Sequence, residues 1–342
     1  MYDFITIGGA TTDTFVQTDK AKIMNLETPI TKDSYLCFDY GEKIEMDHLA
    51  YDIGGGATNA AVNLANLGFK TGIIVKIGED LNSKVILNRL EESNIDTSMV
   101  IRTPKDKTGF SVILTSFEGD RTVLMHRGAN SRINLKEIDK EKIKQTKWIY
   151  FASLSGESNE ILDEIAEFAE ENGINMAFNP GSTQIKRGIN DLKKVLKTAE
   201  ILIMNRSEAS AITGIPNKPT DSDYINDHNL NEIIIKLKCY GPKTVVITEG
   251  KKGVYAFDGK TIYYAPTFPV KVVSTLGAGD AFASTFTGSM IKFNGDIKKS
   301  LQFASINSAQ IIQSFGAQLG LKNFDELNEI MLKNLDYKVQ TK

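Results

Sequence analysis

Cysteine is nearly missing from this sequence. Cys37 and Cys239 are the only two in 342 residues and stand far apart, which excludes a disulfide framework and a Cys-based zinc site and fits a reducing cytosol. Histidine is also sparse: His48, His126 and His228 are scattered, so no His-based metal site is expected. An excess of either charge is lacking too. The 40 Lys and Arg face 43 Asp and Glu, for a net charge of −3. That balance gives no electrostatic reason to expect nucleic acid or an anionic membrane as partner. No apolar run approaches the roughly 18 residues that span a bilayer. The N-terminal MYDFITIGGATTD has an early acid and glycines where a signal peptide needs an apolar core. The expectation is a cytoplasmic protein. Internal repeats and low-complexity linkers are absent as well, which argues against serial domains.

What is present is a hydrophobic content of 41%, ample for a large core, and an alternation of strand-like and helix-like stretches. DFITIG (3–8) reads as a buried strand, ATNAAVNLANL (57–67) as a helix closed by Gly68, GIIVKIG (72–78) as a strand and LNSKVILNRLEES (81–93) as a helix. After 147 the alternation resumes through KWIYFAS, NEILDEIAEFAEEN, INMAFNP, INDLKKVLKTA, EILIMN, NLNEIIIKLKCY and KTVVITEG, then a hairpin turning at Asp258-Gly259. This is the pattern of a mostly parallel sheet covered by helices. Two stretches break it. TGFSVILTSFEGDRTVLMHRG (108–128) reads as a β-hairpin turning at EGDR, and 14–52 is extended without helical period. Together they predict a β-rich lid from 14–52 and 98–130, set on a large α/β domain of 1–13, 53–97 and 131–342. Phe110 and Val112 are expected to face the acceptor site or a partner subunit.

Four short motifs carry chemistry. In STLGAGDAFAS, Gly277, Ala278 and Gly279 run into Asp280 at the mouth of a helix. A helix N-terminus offers unpaired N–H groups and partial positive charge, and small residues let an anion approach. A carboxylate beside such a cradle suits a base that takes a proton from an attacking hydroxyl while the amides hold a phosphoryl group; the plain alternative is a helix start with an acid in its first turn. In GGGATNAA, Gly54, Gly55 and Gly56 precede a helix whose first turn holds Asn59, equally readable as a strand–helix turn. In NRSE, Asn205 and Glu208 could order a metal's water shell, or form an N-cap with its i+3 partner. In TEGKKG, Thr248, Gly250 and Gly253 follow a buried strand, a common place for nucleotide phosphates. GVYAFDGKT is no Walker A loop, since five residues separate Gly253 from Gly259 where four are required.

Taken together, in this order and at these separations, the four motifs resemble the ribokinase-like, or PfkB-type, carbohydrate kinases over roughly residues 3–320. The resemblance implies a three-layer α/β/α sandwich with a mostly parallel central sheet and a small β-lid. It implies ATP and Mg²⁺ as cofactors and transfer of a γ-phosphoryl group to a primary hydroxyl of a sugar or sugar acid. Asp280 would be the base and Gly277, Ala278 and Gly279 the anion hole. Asp13, Gly55 and Asn59 would bind the acceptor. Asn205, Thr248, Gly250, Gly253 and Asn307 would bind the nucleotide, with Glu208 organising the metal through water. The lid could also join two copies into a homodimer.

The departures narrow this. Ser274 stands where the family has an aspartate that helps hold a monovalent cation, and Leu276 replaces a frequent threonine, which leaves potassium activation in question. Gly56 stands where ribokinases proper carry lysine, and Ser153 to Gly156 replaces a carboxylate-bearing segment of some ribose kinases. Two other readings stay open: a nucleoside kinase of the same fold, and a non-catalytic sugar-binding regulator. The intact Asp280 and Gly-Ala-Gly speak against the latter.

Overall fold

Successive residues of a strand point to opposite faces of its sheet, so a strand covered on both sides reads as an unbroken apolar run. The central strands do this residue by residue. Phe4, Tyr150, Ala177, Ile201 and Val246 pack on one face against Leu64, Phe282, Phe286 and Leu301. Their neighbours Ile5, Ile149, Met176, Leu202 and Val245 pack on the other, against Ile165, Leu192, Val195, Leu230 and Ile234. The sheet is therefore the middle of three layers.

The computed structural model describes residues 1–28, 32–115, 121–219, 224–314 and 316–342. The first half runs β1 (Tyr2–Ile7), β2 (Thr11–Gln17), β3 (Lys22–Glu27), β4 (Lys32–Cys37), β5 (His48–Gly54), α1 (Gly56–Asn66), β6 (Thr71–Ile74), β7 (Lys76–Gly78), α2 (Leu81–Glu92), β8 (Ile101–Thr103), β9 (Gly109–Thr115), β10 (Arg121–His126), α3 (Lys140–Ile143) and β11 (Thr146–Phe151). The second half runs α4 (Ile161–Glu171), β12 (Asn175–Phe178), α5 (Ser182–Arg187), α6 (Ile189–Thr198), β13 (Ile201–Asn205), α7 (Arg206–Thr213), α8 (His228–Lys238), β14 (Thr244–Thr248), β15 (Val254–Phe257), β16 (Ile262–Ala265), α9 (Ala278–Lys292), α10 (Ile297–Ile311), α11 (Phe324–Lys333) and β17 (Gln340–Thr341).

Nine strands form the main sheet in the order β17-β16-β15-β14-β13-β12-β11-β1-β6. From β6 to β14 every pairing is parallel; β15, β16 and β17 are antiparallel. The parallel strands thus end at one common edge, the edge where α/β sheets place their ligands. A second sheet of four strands, β10-β9-β2-β5, takes β2 and β5 from the first extended segment and β9 and β10 from the second, and β3 and β4 pair by themselves. The expected turn at EGDR falls on 118–121, of which 118–120 lie outside the described residues.

Three local readings change. GIIVKIG is two strands, not one: β6 lies in the main sheet, while β7 pairs with β8, the Ile101 N–H donating to the Val75 carbonyl at the break. A uniformly apolar run carries no mark of where the chain leaves one sheet for another. Phe110 and Val112 were expected to face the acceptor site or a partner subunit; Ser111 and Ile113 line the cavity described below, which leaves the partner-facing alternative for Phe110 and Val112. The strand is placed as read, and because both of its faces carry apolar residues the pattern did not set its phase. Finally, α5, α11 and β17 were not foreseen; α5 and β17 are too short to show a period.

Candidate active site

The connection from β1 to β2 and the turn from β5 into α1 meet the start of α9 at the common sheet edge. Asp13, Gly55, Asn59, Gly277 and Asp280 line one cavity there, of ≈ 340 Å³. A hollow of similar size, ≈ 320 Å³, lies between Trp148, Glu200, Thr244 and Gly295. It has one carboxylate and none of the motif residues.

Asp280 sits in the first turn of α9, and Asn59 one turn into α1. The Asn59 amide donates to Asp280 Oδ2 at 2.8 Å and accepts from Gln318 Nε2 at 3.1 Å. This bond holds one oxygen of the carboxylate. Gly277 caps α9 with φ of 77°, and a Cβ there would stand 2.7 Å from the Ala317 backbone. Only glycine fits. The first intrahelical bond of α9 is Ala281 N–H to the Gly277 carbonyl. The N–H groups of Ala278, Gly279 and Asp280 therefore have no partner among the described residues, as a helix start requires. Desolvation at the cavity floor pushes the Asp280 carboxyl above the usual carboxylate range, and the Asn59 bond opposes it.

Asp13 arrives from the four-stranded sheet. It faces Asp52 of β5 on one side and Ser111 of β9 on the other. Thr11 Oγ1 donates to its Oδ1 at 2.9 Å. Burial raises its pKa first, the Thr11 and Ser111 bonds lower it, and Asp52 and Asp280 raise it again. A Cβ on Gly54 would overlap the Asp13 carboxylate, so that glycine makes room for the acid. Thr11, Ser111, Arg127 and Asn130 also line the cavity. Sequence reasoning missed them, although Thr11 shares a strand face with Asp13; Ser111 becomes visible only once β9 is known to pair with β2.

The second cluster is separate. Asn205 ends β13 in register with Thr248 at the end of β14. The Asn205 side chain accepts from Glu208 N–H at 2.9 Å, and Glu208 Oε2 accepts from Asn205 N–H at 2.9 Å. The capping reading of this motif is thus realised, with Glu208 Oε1 left outside the box. Burial raises the Glu208 pKa, against the Asn205 bonds. Gly250 opens a 3₁₀ turn that ends at Gly253. β12 and β11 stand between β13 and β1, whose connection to β2 leads to Asp13, and none of these five residues lines the first cavity. Beneath them lies Arg206, 3% exposed. Its Nη1 donates to Asp227 at 2.6 Å and to Glu249 at 2.9 Å, and its Nη2 to the Lys218 carbonyl at 3.1 Å and Asn229 at 2.8 Å. One side chain thus ties α7, the N-cap of α8 and the loop after β14.

Asn307 is in neither cluster. It is wholly buried, donating to Asn63 Oδ1 at 3.1 Å and Thr285 Oγ1 at 2.8 Å and accepting from Lys322 N–H at 2.9 Å. Asn63 in turn donates to Ser284 and Thr285, both at 2.8 Å. Both Asn307 amide protons are spent inside the protein, so direct contact with a nucleotide is not what its surroundings offer. The residue type alone, on a helix, could not tell a ligand contact from a core polar link.

Among the described residues no group of three or more His, Cys, Asp or Glu is placed to hold a metal ion. No helix among them is long and apolar enough to cross a membrane.

Known proteins place this arrangement. The profile described as pfkB family carbohydrate kinase matches residues 22–323. The ribokinase of Staphylococcus aureus is 28% identical over 293 residues, 85% of this chain and 92% of that protein. The 5-dehydro-2-deoxygluconokinase of Clostridium beijerinckii is 30% identical over 276 residues, 77% of this chain and 78% of that one. Among solved structures, the Arabidopsis thaliana ribokinase complexed with ribose and ATP has a TM-score of 0.78 at 21% identity, covering 96% of this chain and 98% of that one. That last likeness is one of fold.

Proposed function

This chain belongs to the pfkB family of carbohydrate kinases, and from that premise we propose that it transfers the γ-phosphoryl group of ATP to a primary hydroxyl of a sugar or sugar acid, with Asp280 as the base. The observation that carries the reading is the pairing of an oriented carboxylate, bonded to Asn59 at 2.8 Å, with three partnerless N–H groups on the same helix turn. The acceptor hydroxyl gives its proton to Asp280 as its oxygen bonds to the γ-phosphorus. The bond from that phosphorus to the β,γ-bridging oxygen breaks, and ADP leaves. The N–H groups of Ala278 and Gly279, with the Gly277 turn, hold the charge that gathers on the transferring oxygens. Asp13, Gly55 and Asn59 fix the acceptor so that one hydroxyl points at Asp280.

Thr248, Gly250 and Gly253 lie along the nucleotide in this reading, and Asn205 braces the same sheet edge. Mg²⁺ fits the donor set only through water. Glu208 has one oxygen outside the capping box, and a single carboxylate with phosphates and water is the usual holding of this ion. When bound it neutralises phosphate charge. Asn307 supports the site from the core. The four-stranded sheet serves as a lid that keeps water from the phosphoryl group. Exposed Met24 and Leu26 on β3, Tyr35 on β4, and Leu49 and Tyr51 on the edge strand β5 support a homodimer through the lid. The relatives named above act, by their names, on a neutral sugar and on a sugar acid, and both belong in the test. Release of ADP from Mg-ATP is followed with sugars, sugar acids and nucleosides as acceptors. Turnover of a sugar or sugar acid is expected. Turnover of nucleosides alone would move the acceptor class, and binding without any turnover would refute the kinase reading.

A further inference from the structure

The acceptor cavity is electrically uneven. It holds two acids, Asp13 and Asp280, of which Asp280 raises the cost of ionising Asp13, and they sit at the end where phosphoryl transfer is placed. Elsewhere its described polar lining consists of hydroxyls and amides, among them Ser153, Ser155 and Asn130, and of one cation, Arg127.

Arg127 is held in place from both sides. It follows β10 and caps the 3₁₀ turn Gly128–Ser131, lining the cavity beside Val123 and Met125 of β10; these two pair with Ile113 and Ser111 of β9. Just after it, the Ala129 N–H donates to the Lys107 carbonyl at 2.8 Å. The Asn130 side chain then closes a two-bond clasp on Ala10, at 2.9 and 2.7 Å. Its backbone is thus fixed against the β1–β2 connection that leads to Asp13. Nearby cations are spoken for: Arg132 binds Asp106 at 2.8 Å and Lys76 binds Glu137 at 2.7 Å. The Arg127 carbonyl accepts from Asn130 N–H at 3.2 Å, while its side chain makes no hydrogen bond or ion pair with any described residue.

A guanidinium has five N–H donors and no acceptor, in a planar fork that matches a carboxylate or phosphate. A neutral sugar hydroxyl gives it nothing of that kind. Arg127 lies beyond the row Asp13–Ser111–Met125, two strands from β2, or roughly 10 Å at ~4.8 Å per strand. Arg127 and the two acids line the same cavity of ≈ 340 Å³.

We propose that Arg127 selects the acceptor: it binds a carboxylate or phosphate group carried by the sugar at the end away from the hydroxyl that meets Asp280. This rests on the kinase reading above and adds that the acceptor is an anion. The acids that would repel an anion stand at the reacting end, and the one cation stands where the anionic group would lie.

The test uses the full chain with Mg-ATP and three acceptor sets: gluconate and its keto and deoxy derivatives, ribose and fructose phosphates, and the neutral sugars glucose, ribose and fructose. An anionic acceptor is expected to exceed its neutral counterpart in kcat/KM, and the set that does so separates carboxylate from phosphate. Arg127→Gln should lower the anionic-to-neutral preference by about 10- to 150-fold, the range for a hydrogen bond to a charged group. The loss should fall on the acceptor KM and not on that of ATP, and Arg127→Lys should restore part of it. A neutral sugar as best acceptor, or an Arg127→Gln loss equal for all acceptors, would overturn the proposal. Calorimetric titration of the same acceptors without ATP keeps the two readings apart. If nothing is phosphorylated, the kinase reading fails, and Arg127-dependent binding of anionic over neutral sugars still decides this one.

Discussion

Replacing Arg206 with methionine should uncouple the nucleotide half of the site from the rest. The change keeps an unbranched apolar stem and removes one cation from between two carboxylates, with side-chain exposures of 4% for Arg206, 3% for Asp227 and 10% for Glu249. Breaking a buried pair by removing one partner costs about 3–5 kcal/mol, because the other charge stays buried and uncompensated. Here two carboxylates are left facing each other, so the upper end applies. Unfolding entropy of ~2.1 cal/mol/K per residue gives roughly 0.7 kcal/mol/K for a chain of 342 residues. The melting temperature should therefore fall by about 7 °C. Functionally, the loop carrying Thr248 and Gly250 hangs on Glu249, so the KM for ATP should rise while that of the acceptor stays. Arg206→Lys keeps the charge and loses the fork, and should fall between. Adding Glu249→Gln to Arg206→Met should recover stability by removing the uncompensated charge. Thermal denaturation and two-substrate kinetics decide it. An Arg206→Met protein that melts within about 1 °C of the parent, with an unchanged KM for ATP, would refute the reasoning.

Asp280→Asn should cost about 10²–10⁴-fold in kcat and leave acceptor binding measurable by calorimetry. Because burial raises the Asp280 pKa, the ionised carboxylate is a cost to the fold that appears as pH rises above the usual carboxylate range. Asp280→Asn should accordingly melt higher than the parent at pH 7–8 and equal to it near pH 3; equal melting at both would remove the burial argument. In the parent, kcat should fall as pH drops through that raised pKa. Asp13→Asn should raise the acceptor KM by about 10- to 150-fold with little change for ATP, and equal weakening of both would contradict its placing. The loop before α9 is fastened by direct bonds: Val273 and Ser274 N–H to the Ile312 carbonyl at 2.7 and 3.2 Å, and Leu276 N–H to Ser274 Oγ at 3.4 Å. Exchanging Na⁺ for K⁺ at fixed ionic strength should change the rate little, and a tenfold gain, or ~1.4 kcal/mol, would show a cation site completed by other oxygens.

Motif residues were legible because their chemistry is local. The Gly277 turn and Asp280 are consecutive, and a helix N-terminus follows from the apolar period behind them. The main strands were legible because burial on both faces leaves an unbroken apolar run. Asn59 and Asp280 could be picked out singly, but their bond crosses 221 positions and belongs to packing. Arg206 lay inside the quoted NRSE motif and drew no reading, since its partners come from α8 and the loop after β14. Arg127 was hidden after a strand pair whose phase the sequence left undetermined, since apolar Phe110 and Val112 alternate with the cavity-lining Ser111 and Ile113.

The bond between Asn59 and Asp280 is the outermost rung of a ladder. One turn further along each helix, Asn63 meets Ser284, and Asn307 and Thr285 close the same knot from α10 and α9. Two apolar helices can slide by a fraction of a side chain and lose little, because dispersion contacts re-form wherever surfaces meet. Helices joined by amide and hydroxyl rungs cannot, because an intermediate offset leaves buried donors unmet, at about 1–3 kcal/mol each. The distance between α1 and α9 is therefore keyed and not graded. A mutation in this seam should act as a switch: silent while the rungs still match, and displacing Asp280 as a unit once they do not. Gradual adjustment of the acceptor cavity is then left to β2, β9 and β10, whose residues can change without touching the key.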